Sequence, residues 1–302
     1  MSATADSRKS ILYALVANFA IALAKTAGAV YTGSTSMLAE AIHSFADCAN
    51  QALLFWGLKE ANRAPTKDHP LGYGKAIYFW SFIVALMLFS MGGLFSIYEG
   101  IHKLASTEPV RNAWVAVGIL SFGIVAESVS LWGAVREINK VRGTRSLWSW
   151  FKNSRQSELV VILGEDLAAL GGLTIALGFI VLAMLTGNPV WDALGSVAIG
   201  ALLLVVAALI GVQVKGLLIG QSADPEMLAQ MKKHLTDAPE VIELYNLLTQ
   251  QFGGEIMVAV KARMQPQGSE VALVEAINRV EAGFRLAFPE VSWLFFEPDV
   301  ED

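Results

Sequence analysis

Glu40, His43 and Asp47 interrupt one apolar stretch of the chain, and Glu165 and Asp166 interrupt another. At ~100° per residue, His43 and Asp47 lie ~40° apart around a helix and Glu40 and Asp47 within ~20° of two full turns, so all three share a face. An imidazole nitrogen and a carboxylate oxygen four residues apart on one helix aim at a common point. That is the donor arrangement divalent-metal chemistry uses. Glu165 and Asp166, being adjacent, diverge by ~100° and cannot both point along one line. Each charge held at bilayer depth costs about 2.5–3.5 kcal/mol on insertion scales, which marks such residues as functional. Four acids and one histidine on two helices repel one another unless protons or a cation lie among them. Taken singly, Lys25, Glu99 and Glu127 read as polar contacts between packed helices, and Cys48, ~100° from Asp47, as a small packing residue.

The elements that must carry these residues follow from composition. The chain has 302 residues, 54% hydrophobic and 16% charged, against roughly 25% charged in an average soluble protein, and its mean hydropathy is +0.50. A membrane-crossing helix needs about 20 mostly apolar residues. The windows that qualify are Ile11 to Tyr31, Met37 to Leu58, Ile77 to Tyr98, Trp114 to Val135, Leu159 to Leu185 and Ala193 to Val214. The third and sixth hold no charge. Loop lysines and arginines set orientation, because their excess stays cytoplasmic. Arg8 and Lys9, then Lys59, Arg63, Lys67 and Lys75, then Arg136, Lys140, Arg142, Arg145, Lys152 and Arg155, and finally Lys215 fall on one side, against Lys103 and Arg111 on the other. Both termini are therefore expected in the cytoplasm, with a bacterial cell or inner membrane as the location. The loop from Lys140 to Gln156 mixes basic residues with Leu147, Trp148, Trp150 and Phe151, which suits a segment in the headgroup region or an aromatic belt. Gly164, Ala168, Gly171 and Gly172 in the fifth span, with Gly195 and Gly200 in the sixth, predict close helix contacts.

Domain organisation shows in the charges. Residues before Asp224 carry a small positive excess, whereas the tail from Asp224 has 6 basic and 14 acidic residues. The expected division is a transmembrane domain over 1–215 and a soluble domain over 216–302. In the tail, Asp224 and Pro225 read as N-cap and first helical residue, and the helix runs to about Thr236. Strands are predicted from about Val241 to Gln250 and Glu255 to Met264, joined by Gly253 and Gly254, which can supply a hairpin's positive φ. Ile256, Val258 and Val260 alternate with wetter positions. A helix from about Glu270 carries Leu273, Ile277, Val280 and Phe284 on one stripe, and a last strand covers Val291 to Phe296. This αββαβ order predicts a ferredoxin-like α+β domain. A net charge of −5 argues against nucleic acid, whose phosphates need a basic surface. A lone Cys48 excludes an intramolecular disulfide, and the N-terminus lacks a signal-peptide pattern. No phosphate loop or nucleophile elbow occurs, so neither an enzyme nor a prosthetic group is expected.

From Ser36 to Asp47 the chain reads SMLAEAIHSFAD, and from His69 to Lys75 it reads HPLGYGK. Together with the acidic fifth span, these segments resemble the cation diffusion facilitator family of metal/proton antiporters, over nearly the whole chain. The resemblance implies a homodimer exporting Zn²⁺ or a related divalent ion in exchange for protons. It places His43, Asp47 and Asp166 on the family's ligand positions. Where most zinc members carry His or Asp, four residues before Asp166, this chain has Ile162, which has no donor. Glu165 can bend toward that gap, and a Glu-Asp pair here resembles the branch that includes the mitochondrial-type zinc transporter. Glu40 is a further candidate. His69 is a weak secondary one, since Tyr73 stands where a second histidine would be needed. The expected partners are a divalent cation, protons, the bilayer and a second copy. The alternatives are a transporter preferring Mn²⁺, Fe²⁺ or Co²⁺, because a missing ligand leaves room for an oxygen-rich shell, and a non-transporting scaffold with a degenerate site. The tail has one histidine, His234, and no high-affinity zinc is expected there.

Overall fold

The computed structural model describes residues 3–105 and 112–301, with side chains from residue 18 onward. The expectations resting on Arg8, Lys9 and Arg111, and on the C-terminal Asp302, lie outside the described side chains. Among the described residues are α1 (Ala3–Thr32), α2 (Thr35–Ala61), the rod Ala76–Leu104, α5 (Ala113–Val141), α6 (Leu147–Asn153), α7 (Ser157–Thr186) and α8 (Val190–Ile219). The rod comprises α3 (Ala76–Met87), a π-helical stretch (Leu88–Leu94) and α4 (Phe95–Leu104). Apart from α6, each has 27 to 30 residues, or about 40–45 Å, more than the ~30 Å of bilayer hydrocarbon. Ala76–Leu104, α5, α7 and α8 are also apolar enough to cross a membrane. With α1 and α2 they form the expected six-helix bundle of a multi-pass membrane protein.

Packing divides the chain into two compact units. One comprises Met1–Gly57, Phe79–Arg145 and Glu158–Val214; the other gathers Leu58–Tyr78 and Ser146–Ser157 with Lys215–Asp302. In the first, small residues allow the approach foreseen from the sequence. A Cβ on Gly200 of α8 would stand 2.7 Å from the Gly93 carbonyl oxygen, so only glycine lets α8 meet the π-helical stretch there. π-Helical insertions are rare and recur at functional sites.

The second unit holds α9 (Pro225–Thr236), β1 (Val241–Phe252), β2 (Glu255–Met264), α10 (Glu270–Ala287) and β3 (Val291–Pro298), in the predicted order and as a ferredoxin-like α+β domain. Asp224 accepts from Glu226 N at 3.0 Å, confirming the N-cap. β1 and β2 pair antiparallel around Gly253 (φ 63°), and β2 pairs parallel with β3 through α10. Ile256, Val258, Val260 and Ala262 project from β2 onto Ala276, Val280 and Phe284 of α10 and Met231 and Leu235 of α9. The connecting segments join this unit as well. Gly253 N donates to the Tyr78 hydroxyl at 2.9 Å, and Arg155 Nε donates to the Ser222 carbonyl at 2.7 Å.

Candidate metal centre

Glu40, His43, Asp47 and Asn50 recur on α2 at intervals of three and four residues, so all four lie on one stripe ~15 Å long, and all four are buried. Each end of the stripe has one contact with another helix. At one end Lys25 Nζ, fully buried on α1, lies 3.3 Å from Glu40 Oε2 and donates to Ser44 Oγ at 2.7 Å. At the other, Asn50 Nδ2 donates to Glu165 Oε1 on α7 at 2.6 Å. The middle differs. His43 Nε2 stands 3.6 Å from Asp47 Oδ2, too long for a good hydrogen bond. Among the described residues, Glu40 Oε1, His43 Nδ1 and Nε2, Asp47 Oδ1 and Asn50 Oδ1 are buried without hydrogen-bond partners. Each such atom forgoes about 1–3 kcal/mol. Two imidazole nitrogens and three side-chain oxygens on one helix face thus have lone pairs or N–H groups that no group among the described residues meets.

The two acids of α7 part company, as their ~100° divergence requires. Glu165 is buried and turns to α2, whereas Asp166 is half-buried and accepts from Ser130 Oγ of α5 at 3.3 Å to each carboxylate oxygen. Ile162 is half-buried. Among the described residues no three of His, Cys, Asp and Glu close to metal-ligand geometry. His43 and Asp47 are together, Glu165 is joined to their helix through Asn50, Asp166 belongs to a contact with α5, and Glu40 is committed to Lys25.

His69 lies elsewhere. Its exposed ring stacks on Tyr73 at 4.4 Å, and the Arg63 guanidinium stands 4.4 Å from the same Tyr73 ring. A cation already occupies that neighbourhood. Two features of the site escaped the sequence reading. Asn50 continues the spacing of His43 and Asp47 and could have been found by extending it. Asp192, at the start of α8, accepts from Ser34 Oγ (2.7 Å), Thr35 N (2.8 Å), Thr35 Oγ1 (2.9 Å), Ser36 Oγ (2.5 Å) and Ser36 N (3.4 Å). It caps the N–H groups of Thr35 and Ser36, which have no partner within the helix at the start of α2, and so fixes the helix that carries the stripe.

Comparison with known proteins gives a consistent picture. Residues 11–219 match the cation efflux transmembrane domain. The chain is 36% identical over 226 residues to the proton-coupled zinc antiporter SLC30A9, mitochondrial, of Xenopus laevis, covering 74% of this chain and 40% of that protein. It is 32% identical over 250 residues to metal tolerance protein C4 of Arabidopsis thaliana, covering 82% of this chain and 54% of the relative. It is 24% identical over 275 residues to zinc transporter ZitB of Pectobacterium atrosepticum, with 89% and 80% covered. The chain thus spans about half the length, or less, of the first two relatives.

Proposed function

The chain belongs to the cation diffusion facilitator family, and from that premise we propose that it exports divalent metal cations, Zn²⁺ foremost, by proton-coupled alternating access as a homodimer. The observation that carries this reading is the open middle of the α2 stripe, where a buried imidazole and carboxylate lie beside each other without hydrogen-bond donors. His43 and Asp47 hold the cation, with Glu165 brought in from α7 and Asp166 supplying the second fifth-span carboxylate as the helices rock. Arrival of protons on the far side lowers affinity, because metal and proton compete for the same lone pairs. Histidine suits that exchange, its unperturbed pKa of about 6.5 lying within the working pH range. The names of the antiporter and zinc-transporter relatives support zinc and proton coupling, and one imidazole among oxygens leaves Mn²⁺, Fe²⁺ and Co²⁺ as the second reading. The test is Zn²⁺ uptake into proteoliposomes with a pH gradient imposed and then released. Uptake that rises with the gradient and collapses on its release is expected; none under either condition would leave a scaffold with a degenerate site.

A further inference from the structure

We infer that the side-chain amide of Asn50 is a direct ligand of the transported cation, its Oδ1 supplying the donor that Ile162 cannot. This rests on the cation site proposed above and names one more member of it.

The argument begins with which end of the amide faces which neighbour. A carboxylate oxygen accepts hydrogen bonds and an amide nitrogen donates them, so the 2.6 Å contact with Glu165 Oε1 commits Nδ2 to Glu165. The amide is planar, and its oxygen is therefore presented away from Glu165. That Oδ1 is buried and has no hydrogen-bond partner among the described residues. Asn50 is one turn beyond Asp47, ~60° from it and ~20° from His43 around α2. Its free oxygen therefore belongs to the same helix face as the open nitrogens of His43 and the open oxygen of Asp47. Serine or alanine at this position could not both hold a carboxylate of another helix and keep a carbonyl for a metal. The resulting donors are one imidazole nitrogen and oxygens from Asp47 and Asn50, with Glu165 holding the amide in place. A neutral carbonyl adds a hard donor without adding charge, which widens the substrate class from Zn²⁺ toward Mn²⁺, Fe²⁺ and Co²⁺.

The test uses the 302-residue chain in detergent with its single cysteine removed by Cys48→Ser, loaded with Co²⁺. In that background Asn50→Cys is expected to show a thiolate-to-cobalt charge-transfer absorption that Cys48→Ser alone lacks, because only sulfur bonded to the metal produces it. Bound Co²⁺ without the band overturns the inference. Asn50→Leu, close in size and without a donor, is expected to weaken Co²⁺ and Mn²⁺ binding about 10–100-fold, and wild-type affinity in that folded variant overturns the inference equally. Asp47→Asn separates the two readings. Co²⁺ binding lost in Asp47→Asn but intact in Asn50→Leu rejects Asn50 alone, whereas intact binding in Asp47→Asn rejects the cation site itself.

Discussion

Asp192 and Asp47 are both buried aspartates that meet α2, one at its first turn and one near its middle. Around Asp192, three hydroxyls and two backbone N–H groups donate to the two carboxylate oxygens. Around Asp47, one oxygen has a 3.6 Å contact with His43 and the other has no partner among the described residues. A buried charge is tolerated when charge-assisted hydrogen bonds replace its hydration, and is costly when they do not. Asp192 is therefore a fastening, whereas nothing among the described residues of the surrounding helices compensates the burial of Asp47 to the same degree. Glu40 lies between the two, one oxygen 3.3 Å from Lys25 Nζ and the other buried without a hydrogen-bond partner among the described residues.

The sharpest break between the two aspartates is in transport. Asp47→Ala is expected to lower proteoliposome uptake by about 100-fold or more, as loss of a metal ligand exceeds the usual cost of losing an outer partner, while its thermal midpoint stays at or above wild type. A lowered midpoint in that variant would merge the two classes. Asp192→Ala should do the reverse. It strips several charge-assisted bonds worth about 1.5–3 kcal/mol each, not additively, so a loss of about 3 kcal/mol or more is expected in denaturant unfolding, with metal affinity of the folded protein little changed. Lys25→Met comes next. It leaves Glu40 buried and unpaired at a cost of about 3–5 kcal/mol, and Lys25→Met with Glu40→Gln should recover most of it; a double variant no better than the single one would deny that the pair is a unit.

Effects in the tail are smaller. The tail has one histidine, His234, and no cysteine, so calorimetric titration of the isolated tail from Asp224 with Zn²⁺ should show nothing tighter than a micromolar Kd, roughly −8 kcal/mol. Smallest is the response of Asp299. Its hydrogen bond with Lys261, and then the Val300 and Glu301 amides, hold its carboxyl below the ordinary range. A depressed carboxyl stabilises the fold above its unfolded pKa of about 3.9, and that contribution is lost as pH falls through the folded value. In Lys261→Met the Asp299 titration followed by NMR should move upward toward the ordinary value.

Much of this architecture was legible because it is local. The period of α2 put Glu40, His43 and Asp47 on one face, and the Gly253-Gly254 turn and the alternation in β2 laid out the tail almost residue by residue, β1 running on to Phe252 and β3 to Pro298. The π-helical stretch was not legible, since α and π turns bury the same apolar residues; it lies where α8 comes close at Gly200. Adjacency alone declared that Glu165 and Asp166 must diverge, but not which would turn to α2.

The sequence by itself determined the membrane spans, the αββαβ tail and the face of α2 on which ionisable groups gather, because periodicity and composition act between residues a few positions apart. The tertiary structure decided which of those groups are satisfied. Lys25 reaches Glu40, Asn50 reaches Glu165 across 115 positions, and Asp192 reaches Ser34 across 158. Whether a buried acid is paired depends on donors from other helices, which only packing brings within hydrogen-bond range.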